Sequence, residues 1–168
     1  MDDGQTDTHP AMPTGPDSFP ATGPNALARP WTRAVARLAD TFIVAIPFLF
    51  IVLVVLSITG HLEDQDFPLW VRPLLALVAV AYEVPLLAWR GQTLGKLALG
   101  IKVARLDNGR PPLWHQAAMR IGLPGVLMSI PHPLGIVAAS AVYFSSGWNT
   151  MGRGVHDKAA GTVVVASR

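Results

Sequence analysis

Residues 41–59 and 121–148 run for 19 and 28 positions without an Asp, Glu, Lys or Arg, and residues 73–89 carry one charge, Glu83. A helix needs about 20 mostly apolar residues to cross a bilayer. The pattern predicts an all-α membrane protein, with spans at about 36–59 and 70–89. The last run is interrupted by Pro131-His132-Pro133, which removes backbone donors that lipid cannot replace. It forms either one kinked helix or two short ones, about 115–130 and 133–148. Three to four transmembrane helices are therefore expected.

Between the second and last apolar runs the period changes. Leu99, Ile101 and Val103 alternate with Gly100, Lys102 and Ala104 ahead of Asp107-Asn108-Gly109, a turn sequence tolerant of positive φ. This predicts a small cytoplasmic β-hairpin over about 97–112, its return strand shortened by Pro111 and Pro112, which cannot donate to a ladder. A β-branched run at Val163, Val164 and Val165 is expected to add to the hairpin edge and bring Asp157 towards Lys96 or Arg33. Residues 1–30 hold six of the fifteen prolines and open on acids, with no basic region leading into an apolar core. A cleavable signal is therefore not expected here. Residues 1–29 read as a disordered tail ahead of a membrane domain over 30–166.

Composition agrees with the pattern: 51% of the chain is hydrophobic and 14% charged, against about 25% charged in ordinary soluble domains. The distribution of charge adds orientation. Arg29, Arg33 and Arg37 precede the first apolar run and Glu63, Asp64 and Asp66 follow it, which puts the N-terminus in the cytoplasm. Lys96, Lys102, Arg105, Arg110 and Arg120 keep the loop after the second span on that side. Arg153, Lys158 and Arg168 favour a cytoplasmic C-terminus as well, and hence the four-helix version. The basic excess is topology, and no nucleic-acid partner is expected. The expected partners are the lipid bilayer and, since three or four helices enclose little volume, further copies of the chain or another membrane protein.

There is no cysteine, which excludes disulfides, thiolate catalysis and cysteine-bound metal. The five histidines are scattered without ligand spacing, so no metal site or other cofactor is expected. Gly91, Gly95 and Lys96 imitate a phosphate-binding loop, but three residues separate the glycines and Leu97 stands where Ser or Thr would hold magnesium. No nucleophile motif is present, and no enzyme is expected.

Three blocks carry a family resemblance: Arg33 to Asp40 entering the first helix, Gly91-Gln-Thr-Leu-Gly-Lys96 after the second, and His156-Asp-Lys-Ala-Ala-Gly-Thr162 near the end. In their order and spacing the chain resembles the RDD family of bacterial integral membrane proteins. The resemblance implies that Arg33 is the family arginine, Asp40 and Asp157 its two aspartates, and Glu83, after Tyr82, part of a pair found in relatives. It also implies a multi-pass protein of the bacterial inner (plasma) membrane. Transport of unidentified ligands, including proton-linked cation exchange, is suggested for such proteins.

The candidate ligand or ion-pair residues are Arg33, Arg37, Asp40, Glu83, Thr93, Gly95, Lys96, His156, Asp157, Lys158, Gly161 and Thr162. Arg33, Arg37 and Asp40 are spaced by four and three, which stacks them on one helical face. Asp40 is expected to neutralise an arginine, and Lys96 to meet Asp157 or lipid phosphate. Glu83 is expected to lie about seven residues inside the boundary, unpaired and protonated, because an isolated intramembrane carboxylate is costly. Two functions remain open: a transporter-like protein in which Glu83 and Asp40 bind a proton or cation, and a non-transporting scaffold or accessory subunit whose buried charges fix helix packing.

Overall fold

The computed structural model describes residues 15–61, 68–130, 133–148 and 150–168. Helix α1 (Pro30–Thr59) opens on a proline, whose fixed φ suits the first helical position, and closes at Gly60 in the left-handed conformation. Helix α2 (Val71–Arg90) ends at Gly91, φ 67°, whose N–H donates to the Leu87 carbonyl at 2.8 Å. A side chain at that position would meet the Val103 carbonyl oxygen at 2.4 Å, so the chain reverses under α2 only with glycine there.

Both helices are long and apolar enough to cross a membrane. They are also mostly uncovered by protein: Phe42, Ile46, Phe50, Ile51 and Ile58 of α1 are each more than half exposed. A soluble core helix would bury such residues. The two helices meet through Phe48 and Val52 against Val71, with Leu56 and Leu75 beside them.

After Gly91 come the short helix α3 (Leu94–Ala98) and strand β1 (Ile101–Arg105). Then α4 (Trp114–Ser129) packs along α2, and α5 (Pro133–Phe144) packs on α4. At 1.5 Å per residue α4 is about 24 Å long and α5 about 18 Å, each shorter than a bilayer core. A 3₁₀ turn (Ser145–Trp148), helix α6 (Val155–Ala159) and strand β2 (Thr162–Ala166) complete the chain. The last apolar run is thus two helices; the first two residues of its Pro131-His132-Pro133 break lie outside the described residues, as do the loop acids Glu63, Asp64 and Asp66.

The hairpin expected over 97–112 does not form. The Asp107-Asn108-Gly109 turn is made, with Gly109 N–H donating to the Arg105 carbonyl at 2.9 Å, but β1 pairs antiparallel with β2, Val103 opposite Val164. Val163, Val164 and Val165 can donate to a ladder where Pro111 and Pro112 cannot. This pairing returns the C-terminal segment to the side where α2 ends.

The disordered tail expected over 1–29 also differs. Residues 1–14 lie outside the described residues, whereas the segment approaching α1 runs along β2, with Asn25 N–H to the Ala166 carbonyl at 2.9 Å and Ala28 N–H to the Val164 carbonyl at 3.1 Å. Phe19 covers one face of the sheet with Ala104, Met151, Val163 and Val165. On the other face Ile101, Val103 and Val164 join Ala36, Leu87, Ala117 and Ile121 from the helices. Burial on both faces explains the continuous apolar run of β2.

Candidate functional site

Asp40, 1% exposed, lies on α1 facing α3. Its carboxylate accepts from Tyr82 Oη at 3.0 Å, from Gly95 N–H at 2.8 Å and from Thr93 Oγ1, and Lys96 Nζ stands 3.4 Å away. Lys96 also donates to Thr93 Oγ1 at 3.1 Å. The approach is close enough that a side chain at Gly95 would meet the Ala36 carbonyl oxygen at 2.4 Å and the Asp40 carboxyl at 2.9 Å. The Gly91–Lys96 block is therefore a carboxylate cradle. Burial pushes the Lys96 ammonium below its usual range, against the pull of Glu83 and Asp40. The partner of Asp40 is thus Lys96 rather than an arginine, and Lys96 does not reach Asp157.

Glu83, 4% exposed, is not the isolated acid expected. It forms an ion pair with Arg37, whose guanidinium also lies 4.6 Å from the centre of the Tyr143 ring. The reason is depth. With α1 starting at Pro30 and the antiparallel α2 ending at Arg90, Arg37 and Glu83 each sit seven residues, about 10 Å, from the same side of the bundle.

Asp157, also 1% exposed, holds the third part of the cluster. It pairs with Arg120 of α4, accepts from Gly154 N–H at 3.2 Å, and lies 3.9 Å from Arg33. Arg33 itself donates to three carbonyls: Ala28 and Val164, each at 3.0 Å, and Gly152. Thr162, fully buried, accepts from Arg120 at 3.0 Å, and its carbonyl accepts from Arg153 at the same distance. His156 packs edge-on to Tyr143 at 5.2 Å between centroids, and burial pushes it down to about 4 despite the neighbouring Asp157. Gly161, φ 63°, ends the α6 turn and accepts from Leu106 N–H at 3.1 Å. Lys158 is exposed and stands apart.

Arg120 and Tyr143 are parts of this network that the sequence does not single out, and Tyr82 entered only as the neighbour of Glu83. Arg120 had a signal: it is the last charge before a 28-residue run without one, so its helix carries it inward.

Two cavities flank the cluster. One, about 600 Å³, is lined by Arg33, Arg37, Glu83, Lys96, Arg120, Tyr143, His156 and Asp157 among others. The second, about 250 Å³, lies among α1, α2, α4 and α5, where Ala76, Ala79, Val80, Met128 and Ile136 surround Asp40 and Arg72. Arg37, Thr41, Glu83 and Ile121 line both.

Fold and cluster together define a membrane protein: two helices able to cross a bilayer, tied to each other and to the short helices beside a small sheet by buried ion pairs. The chain belongs to the RDD family, whose model matches residues 27–161 and so takes in the charged blocks up to Gly161. It is similar to the "Uncharacterized protein YckC" of Bacillus subtilis (strain 168), 30% identical over 135 residues that make up 80% of this chain and 81% of that protein. No solved structure matches the chain.

Proposed function

We propose that the chain is a multi-pass protein of the bacterial inner (plasma) membrane that passes a small ligand or cation through its helices, with the Arg37–Glu83 pair as the internal partition. The observation that carries this reading is the common wall of the two cavities, made by Arg37, Thr41, Glu83 and Ile121. When the pair opens, Glu83 loses its cation and becomes a proton acceptor in an apolar setting, which links passage to protonation.

In this topology the N-terminus, the sheet and the C-terminus are cytoplasmic, as Arg29, Arg33 and Arg37 at the start of α1 and the pairing of β1 with β2 favour. Helices α4 and α5 then form a short tilted hairpin. The exposed apolar face of α1 faces lipid or a second copy of the chain.

A second reading rests on the ion pairs themselves. Asp40, Glu83 and Asp157 each tie two or more segments together, which suits a scaffold or accessory subunit. Purified protein in proteoliposomes, with sodium, potassium and proton gradients imposed in turn, separates the two. Transport predicts flux that Glu83→Gln abolishes while the protein still reconstitutes. Absence of flux from folded wild-type protein under all three gradients rejects transport and leaves the scaffold.

A further inference from the structure

We propose that the larger cavity binds a phosphate-bearing anion, either a phospholipid headgroup or free phosphate. The inference deepens the reading of that cavity as a ligand site and rests on it. Among the described residues four cations line the cavity, Arg33, Arg37, Lys96 and Arg120, against two acids, Glu83 and Asp157. Adding Asp40, which lies behind Lys96, still leaves three acids for four cations. His156 does not alter the count at neutral pH, since burial keeps it uncharged. Asp157 is shared: Arg120 pairs with it, and Arg33 stands 3.9 Å away with its donors directed to carbonyls, which satisfy its N–H groups without cancelling its charge. A buried charge without a counter-charge is costly, so the surplus is a standing demand for an anion.

Size and access define the ligand further. The volume, about 600 Å³, falls within the range of small-molecule sites. The lining runs out to Trp31 and Leu38 of α1, 62% and 55% exposed, so the cavity continues onto the apolar outer surface. A headgroup enters there without leaving the membrane, while its acyl chains stay in lipid. Arginine forks match phosphate oxygens in geometry as well as charge.

The test uses the whole purified chain in phospholipid-free detergent. Unfolding midpoints are measured with dihexanoyl phosphatidylglycerol, with dihexanoyl phosphatidylcholine, and with inorganic phosphate against chloride at equal ionic strength. A saturable rise with phosphatidylglycerol alone assigns a headgroup site; a saturable rise with inorganic phosphate assigns free phosphate. Ser140, half-buried on α5 in the cavity wall, provides the second arm. Ser140→Glu supplies the missing negative charge and should weaken the response at least about tenfold, whereas Ser140→Gln retains it. No saturable rise with either probe, a rise with phosphatidylcholine as large as with phosphatidylglycerol, or an undiminished response in Ser140→Glu overturns the proposal. Cation flux without anion binding removes this inference and keeps the conduction reading; anion binding without flux does the reverse.

Discussion

Gly95→Ala adds one methyl group where α3 lies hard against α1. The new carbon would stand 2.4 Å from the Ala36 carbonyl oxygen and 2.9 Å from the Asp40 carboxyl, where ordinary contact begins near 3.4 Å. One of those atoms is α1 backbone, so relief requires α3 to move off α1 by about 1 Å. That shift stretches the Gly95 N–H bond to Asp40 from 2.8 Å beyond hydrogen-bonding reach, and Lys96 Nζ, already at 3.4 Å, follows. Hydrogen bonds to a charged group are worth about 1.5–3 kcal/mol each, and alanine returns about 1 kcal/mol of helix propensity. The net loss is about 2–5 kcal/mol. Gly122→Ala is the matched control: Gly122 lies in α4 with open space around its α-carbon, so the same change should be neutral or stabilise by up to about 1 kcal/mol. Tryptophan-monitored unfolding in detergent compares the two. If the variants lie within about 0.5 kcal/mol of one another, the cradle geometry is wrong.

Asp157→Asn removes the buried carboxylate that pairs with Arg120, and should cost about 3–5 kcal/mol. Arg120→Met on that background should recover part of the loss, and unfolding of the two variants at the same midpoint would reject the pairing. Tyr82→Phe deletes a hydroxyl that donates to Asp40 and accepts from Leu94 N–H, for a cost of about 1–2 kcal/mol; a change below 0.5 kcal/mol would show that neither bond matters. For His156 the folded value near 4 lies below the usual 6.5, so the unfolded chain binds more protons between them. Stability should be full above pH 6.5 and fall by up to about 3 kcal/mol as the pH drops to 4. An unfolding series against pH should lose that slope in His156→Gln, and equal slopes would refute the assignment.

The apolar runs made the helices legible, and the prolines near residue 131 made the division of the last run legible, because both are local properties. The sheet was only half legible. The Asp107-Asn108-Gly109 turn forms from local chemistry, and the β-branched run at 163–165 marked a strand that does join the sheet and brings Asp157 to Arg33; what stayed hidden is that this strand takes the place of the return strand after the turn. The pairing of Glu83 was hidden by one boundary: a first helix beginning near residue 36 leaves Arg37 at the membrane edge, whereas α1 begins at Pro30. The six added residues are steadied by the sheet, through Arg33 and its carbonyl partners. That is tertiary information, which charge-free runs do not contain.

Among the described residues the three buried acids occupy different joints of the fold. Asp40 fastens α1 to α3, Asp157 fastens α6 to α1 and α4, and Glu83 fastens α2 to α1 at the wall between the cavities. The first two hold their cations with several supporting hydrogen bonds, so exchanging a partner there breaks a network. Glu83 differs: among the described residues Arg37 is its one ion-pair partner, and Arg37 touches the Tyr143 ring while it makes that pair. An anion in the larger cavity therefore competes most directly for Arg37. If Arg37 turns to it, the carboxylate left behind faces only Lys96, which Asp40 already holds, and under the proposed conduction it takes up a proton or a cation. Anion arrival and proton or cation uptake are then coupled through a single side chain, and the coupling acts equally in both directions.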